Sequence, residues 1–165
     1  MSQVNSSLIG KVAVVTGGAG FLGKGYVESL EKAGARVFVW DTGSREDKVD
    51  IRIKAEVEGA VERILGETGR LDILVNNAAL NPAPNSPASQ EQFRPYEEYP
   101  LELWQQEIEV GLTGALLTTQ AVASVMMKQK SGSIINIGST YGITAPDNRI
   151  YPDGMYKSIG YATVK

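Results

Sequence analysis

The sequence contains no cysteine and no histidine. Without cysteine there is no disulfide, no thiolate metal ligand and no cysteine nucleophile. Without histidine there is no Ser-His-Asp relay and no imidazole metal site. Proton transfer near neutral pH then falls to a carboxylate, or to a Tyr or Lys that its surroundings retune. Basic residues are also sparse and dispersed. There are 16 Lys and Arg against 19 Asp and Glu, a formal net charge of −3, and Lys128 and Lys130 form the densest pair. This balance offers no footprint for nucleic acid or a membrane surface. No apolar run approaches membrane-spanning length, and the start, MSQVNSSLIGK, has neither a basic region before an apolar run nor an Arg-rich amphipathic pattern. A small-molecule partner and a cytoplasmic location are the expectation.

What is present fits one globular domain: 165 residues, 42% of them hydrophobic and 21% charged. Lys11–Val15 and Arg36–Trp40 are short, β-branched-rich runs, and between them Leu22, Tyr26, Val27 and Leu30 recur at helical spacing up to a stop at Gly34. Val57, Val61, Ile64 and Leu65 mark a second amphipathic helix before a buried strand at Leu71–Val75. Strands alternating with helices predict an α/β fold with a doubly wound parallel sheet. Five of the seven prolines fall in a long loop at about 81–100, an excursion within residues 1–165 rather than a linker, of the kind that is either a functional lid or disordered. A helix is predicted over Leu101–Lys130, with Trp104, Ile108, Leu112, Leu116 and Leu117 on its apolar face, Gly111 and Gly114 as weak points and Gly132 as its stop. Ser133–Ile137 is the next strand, and a last helix begins near Tyr156 to Ile159.

The first strand runs into Thr16-Gly17-Gly18-Ala19-Gly20-Phe21-Leu22-Gly23 and then a helix, the context in which a glycine pattern reads as a dinucleotide site. Gly17 permits the tight turn, Gly20 lets backbone approach a pyrophosphate, and Gly23 permits close helix–strand packing. Phe21 and Leu22 open the helix whose N-terminal amides face the anion. Asp41, ending the second strand, can accept hydrogen bonds from the adenosine ribose hydroxyls and would repel a 2′-phosphate, so NAD is expected over NADP; Arg45 close by offsets part of that repulsion. Tyr161 is the one tyrosine of seven with a Lys four residues on, which places Tyr161 and Lys165 on one helix face. An ammonium beside a phenol stabilises the phenolate, which suits a chain without histidine.

Asn76-Asn77-Ala78-Ala79 after the strand at 71–75, Ser139 after the strand at 133–137, and Tyr161-Ala-Thr-Val-Lys165, in this order behind the glycine turn, resemble the short-chain dehydrogenase/reductase family. The resemblance implies a Rossmann-like fold and an NAD(H)-dependent oxidoreductase that interconverts a secondary alcohol and a ketone. It makes Tyr161 the general acid/base, Ser139 the group that positions the reacting oxygen, and Lys165 the residue that tunes Tyr161 and holds the nicotinamide ribose. Asn77, Ala78 and Ala79 would line the cofactor, and Asp50-Ile51 would bracket its adenine. Only eight residues separate Asp41 from Asp50, so the intervening helix is expected to be missing and a third strand near Val49–Ile51 to be short. Full-length relatives commonly form homo-oligomers.

Three features depart from the family pattern. Phe21 stands where single-domain members carry a glycine, giving TGxxGxxG. Gly111 stands in the place of the Asn that completes a tetrad with Ser, Tyr and Lys, leaving no side chain there for a water relay. Ser139 and Tyr161 lie 22 positions apart, an excess that falls in Ala145–Met155. Together with TGGAGFLG and the Pro-rich loop, this segment resembles members acting in bacterial surface-sugar or flagellin-glycan biosynthesis, which implies a sugar or sugar-derived substrate. Asp147, Asn148, Arg149, Tyr151 and Asp153 are the hydrogen-bonding groups such a substrate would meet. The sequence stops at Lys165, so the C-terminal strands of the family fold are expected to be missing, and a non-catalytic NAD-binding module or an inactive fragment is the competing reading.

Overall fold

A computed structural model describes residues 7–44, 48–81 and 86–165. Arg45, Pro82 and Pro84 lie outside the described residues. The rest group into two compact units, one made of residues up to Ala78 together with Ala115–Asn136, the other of Ala79–Gly114 and Ile137–Lys165.

The first unit is a four-stranded parallel sheet in the order β2-β1-β3-β4, with β1 at Val12–Thr16, β2 at Arg36–Trp40, β3 at Ile73–Asn76 and β4 at Ser133–Asn136. β1 and β3 are central and buried along their whole length, which is why their apolar runs are continuous rather than alternating. Helix α1 (Phe21–Lys32) follows β1 and stops before Gly34, whose left-handed φ of 97° suits glycine. Helix α2 (Lys54–Thr68) buries Val57, Ala60, Val61 and Ile64, a 3–4 spacing that lays one face inward. The predicted third strand near Val49–Ile51 does not form. One bridge joins Asp41 to Lys48, and Val49 and Ile51 contribute burial instead of ladder pairing.

The second unit contains α3 (Pro87–Gln92), α4 (Leu101–Ile108), a π-helical segment at Glu109–Gly114 and, near the chain's end, α6 (Ile159–Val164). The Pro-rich stretch, expected as a loop, thus contains short helices among its described residues. Ser86 caps α3 with Pro87 in its first turn, where proline fits a helix, and Tyr96–Glu98 adds a 3-10 turn.

The chain is helical throughout Leu101–Gln129, which by length and composition alone is long and apolar enough to cross a membrane, contrary to the expectation from apolar runs. Its last part, α5 (Ala115–Gln129), packs on α2 and β3 in the first unit and buries Thr118, Val122, Val125 and Met126. The predicted apolar face was out of phase, for Leu112 and Leu116 are about half exposed. The π turn at 109–114 inserts extra residues into the helical repeat and shifts the inward face. The helix also ends earlier than Gly132, through Lys130 in the left-handed conformation at φ 54°.

Candidate active site

The glycine turn is built from three directions within the first unit. The buried Thr16 Oγ1 accepts hydrogen bonds from the Asn77 and Ala78 amides at 3.0 and 3.1 Å, while Asn77 Nδ2 donates to the carbonyls of Thr16 and Gly17 at 3.0 and 3.1 Å. Gly17 takes a left-handed φ of 64°, and a methyl group there would lie 2.9 Å from Ala78 Cα. One at Gly23 would collide with the Gly17 carbonyl, so α1 seats directly on the turn. No side chain caps α1 at Gly20, and its first-turn amides have no helical acceptors. Phe21 beside them is 95% exposed and Leu22 is exposed, whereas Gly23 is buried.

Asp41 closes the turn from β2. Its Oδ2 accepts from the Ala19 amide at 3.2 Å and its Oδ1 from the Gly43 amide at 2.8 Å. Asp50 is held bidentately by Arg52 at 2.9 and 2.6 Å, and that guanidinium keeps the Asp50 carboxyl below its ordinary pKa; Ile51 beside it is 7% exposed. Ala79, the last residue of the NNAA run, falls in the second unit and is half-buried. Asn76 serves the fold: it binds Thr118 and Thr119 of α5 and Asn136 of β4 at 2.8–3.0 Å.

In the second unit, α6 carries Tyr161 and ends at Lys165, with Ser158 Oγ capping it by accepting from the Tyr161 amide at 2.9 Å. Lys165 Nζ donates to the Ile137 carbonyl at 3.0 Å, and burial pulls its pKa down. Ser139 caps the 3-10 turn Thr140–Gly142 by accepting from the Tyr141 amide at 3.2 Å. Its neighbour Gly142 packs so closely on the Lys165 backbone that a side chain at 142 would not fit. The fold therefore brings the Ser139 segment against the end of the helix that bears Tyr161.

Sequence reasoning missed what holds α6. Glu107, 1% exposed, accepts from Gln92 Nε2 at 2.7 Å, Tyr99 OH at 2.6 Å and Ser158 Oγ at 2.6 Å. Gly160 leaves it room, since any side chain there would strike the Glu107 carboxylate. Burial and the Glu107 carboxylate push the Tyr99 phenol far above its ordinary pKa. On the next turn, Gly111 abuts α6. A β-carbon there would stand 2.5 Å from Val164, so the place of the family's Asn is taken by close helix packing. In the Ala145–Met155 segment, Asp147 and Arg149 pair with each other, Asn148 Oδ1 accepts from the Lys157 amide, and Tyr151 OH lies 3.0 Å from Tyr141 OH. Burial and that neighbouring phenol push Tyr151 up to about 12. Asp147, Asn148, Arg149 and Tyr151 thus help hold the loop itself.

A model of the family described as short chain dehydrogenase matches residues 11–151. The 3-alpha-(or 20-beta)-hydroxysteroid dehydrogenase of Mycobacterium bovis is 32% identical over 154 residues, covering 85% of this chain and 55% of that protein. Xanthoxin dehydrogenase of Arabidopsis thaliana is 30% identical over 161 residues, covering 86% of this chain and 54% of that protein. Among solved structures, a short-chain type dehydrogenase/reductase from Mycobacterium marinum superposes with a TM-score of 0.83 at 27% identity, covering 100% of this chain and 68% of that one. An NAD+-bound xylitol dehydrogenase gives 0.79 at 25% identity, covering 96% and 60%. The chain spans about half the length of the curated relatives it matches.

Proposed function

The chain belongs to the short-chain dehydrogenase family, and from that premise we propose that the protein carrying it is an NAD(H)-dependent oxidoreductase acting between secondary alcohols and ketones. The observation that carries the reading is the second unit's arrangement: a capped α6 bearing Tyr161, with the Ser139 segment packed against its end at Lys165. A nicotinamide dinucleotide, when bound, supplies the acceptor or donor of hydride. The chain's own residues do the rest. Gly17 and Gly23 let the turn close tightly against the uncapped start of α1, and the backbone amides presented there fit a diphosphate. Asp41 would accept hydrogen bonds from the ribose hydroxyls and would disfavour a 2′-phosphate, and Asn77, Ala78, Asp50 and Ile51 would be further cofactor contacts. In the reducing direction the Tyr161 phenol gives its proton to the carbonyl oxygen, and in the oxidising direction it takes one from the hydroxyl. Ser139 hydrogen-bonds that oxygen, and the Lys165 ammonium favours the phenolate.

A sugar or sugar-derived alcohol is the narrower substrate proposal, and the likeness to a polyol dehydrogenase supports it. The test is reduced-nicotinamide formation with NAD and NADP across secondary alcohols, polyols and sugar derivatives. Turnover with NAD over NADP is expected. Gly111 favours a second reading, a non-catalytic binding module, which would change NADH fluorescence on binding yet turn over no member of the panel.

A further inference from the structure

Lys157 stands at the centre of the aromatic side chains around Tyr161. Its Nζ lies 3.9 Å from the centre of the Tyr161 ring and 5.7 Å from those of Phe93 and Tyr141. Phe93 in turn packs on Tyr151 at 5.6 Å, and Tyr151 on Tyr141 through their hydroxyls. Cation–π contact offsets part of an ammonium's lost hydration but satisfies none of its three N–H donors. Among the described residues, no carboxylate lies within ion-pair distance of Lys157, and no acceptor takes a hydrogen bond from its Nζ. Burial lowers its pKa, and the acidic group that opposes the shift is Glu107. Glu107 already accepts bonds from Gln92, Tyr99 and Ser158 and reaches Lys157 only through space.

A half-buried ammonium with three unused donors, stacked on the ring of the residue proposed to handle the proton, is complementary to an oxyanion. Resting on the oxidoreductase reading above, we propose that Lys157 selects substrates bearing a carboxylate or phosphate a few bonds from the reacting carbon. The substrate class is thereby narrowed to hydroxy acids, keto acids or phosphorylated alcohols, including the sugar-derived acids among polyols. Phe93 and Tyr141 supply the apolar walls that make a single charge–charge contact count, since a dry surround weakens screening. Lys157 immediately precedes Ser158, whose hydroxyl caps the helix at the Tyr161 amide, so Lys157 and Tyr161 are joined through the helix start as well as by packing. Its charge is thus tied to the reacting tyrosine rather than to the loop at large.

The test uses the full-length protein and matched pairs: 3-hydroxybutyrate against 3-hydroxybutyramide, and glycerol 3-phosphate against glycerol. Two readouts are taken. The first is the NMR signal of the Lys157 side chain, identified by its loss in K157M, during titration with each compound and with acetate and inorganic phosphate. The second is kcat/KM with NAD for each pair. The expected result is that anions shift the Lys157 signal and their neutral partners do not. Whatever K157M does to both members of a pair alike, the anionic one loses about a further 10- to 100-fold in kcat/KM, the size of a hydrogen bond to a charged group. K157R keeps most of that preference. The carboxylate and phosphate arms decide which oxyanion the site takes. If neither acetate nor phosphate moves the Lys157 signal, or if K157M lowers acid and amide equally, Lys157 is only a strut in the aromatic cluster and the proposal is overturned. If the signal responds to anions while no compound is turned over, the anion site stands and the oxidoreductase reading fails instead.

Discussion

The two units are held together by different physics. Every hydrophobic side chain that is fully buried among the described residues belongs to the sheet unit, from Val12 to Val75 and Val122 to Met126. In the unit that carries Tyr161, the fully buried side chains are polar: Ser89, Gln92, Glu107 and Ser158. Apolar burial is strong and non-directional, and it stabilises the sheet on which the glycine turn presents its backbone amides. A buried hydrogen-bond network is directional and intolerant, and so fixes the register of a helix whose side chains must act. The lesson is that backbone chemistry sits on the apolar scaffold, while side-chain chemistry is held by a polar one.

The largest effect expected falls on Tyr161→Phe, which keeps the ring and removes the proton; turnover should drop by about 10²- to 10⁴-fold, measured as reduced-nicotinamide formation. Glu107→Ala comes next. It removes the acceptor that Gln92, Tyr99 and Ser158 share, leaving them only the Leu80 carbonyl and each other, and should cost about 2–5 kcal/mol. Amide hydrogen exchange should show the loss in 79–114 and 137–165 while β1 and β3 keep their protection. Equal loss in both units would erase the distinction drawn above.

Gly111→Asn puts back the family's side chain where Val164 now packs, and overpacking should cost about 1–3 kcal/mol in thermal unfolding. Adding Val164→Ala should recover only the part due to the valine methyls, because the Val164 Cβ at 2.5 Å stays in place. The smallest effect is in the sheet unit. Asp72 accepts from Arg70, Lys11 and the Val12 amide, which together hold its carboxyl down to about 2 from 3.8. A carboxyl lowered on folding stabilises the folded state above its unfolded value. That contribution, on the order of 2 kcal/mol, is present above about pH 4 and lost as pH falls toward 2. Urea unfolding of Asp72→Asn should show the deficit at pH 7 and not near pH 2.

The sheet unit was largely legible in the sequence because its demands are written in residue type. β-Branched runs mark central strands, and Gly17 and Gly23 stand where no side chain fits. The third strand failed because Val49 and Ile51 are apolar for burial, not pairing. Tyr161, Lys165 and Ser139 are singled out in the sequence by spacing and by a motif order that resembles the family's. Their support was not, since a Glu at 107 inside an amphipathic helix reads as a solvated position, and only the fold brings Gln92, Tyr99 and Ser158 to it. The same helix hid the phase shift at Glu109–Gly114, because periodicity assumes a repeat that a π turn breaks. Nothing in the sequence marks out Lys157, because only the fold places the rings of Phe93, Tyr141 and Tyr161 around it.

The division of labour is tested most directly by titrating NADH into Gly23→Ala and Tyr161→Phe, following nicotinamide fluorescence, and assaying both for turnover. Gly23→Ala should lose cofactor binding, because its methyl would strike the Gly17 carbonyl, and turnover should fall with it. Tyr161→Phe should bind NADH as the unaltered protein does and yet fail to turn over. Substantial turnover by Tyr161→Phe, or unimpaired NADH binding by Gly23→Ala, would contradict the account.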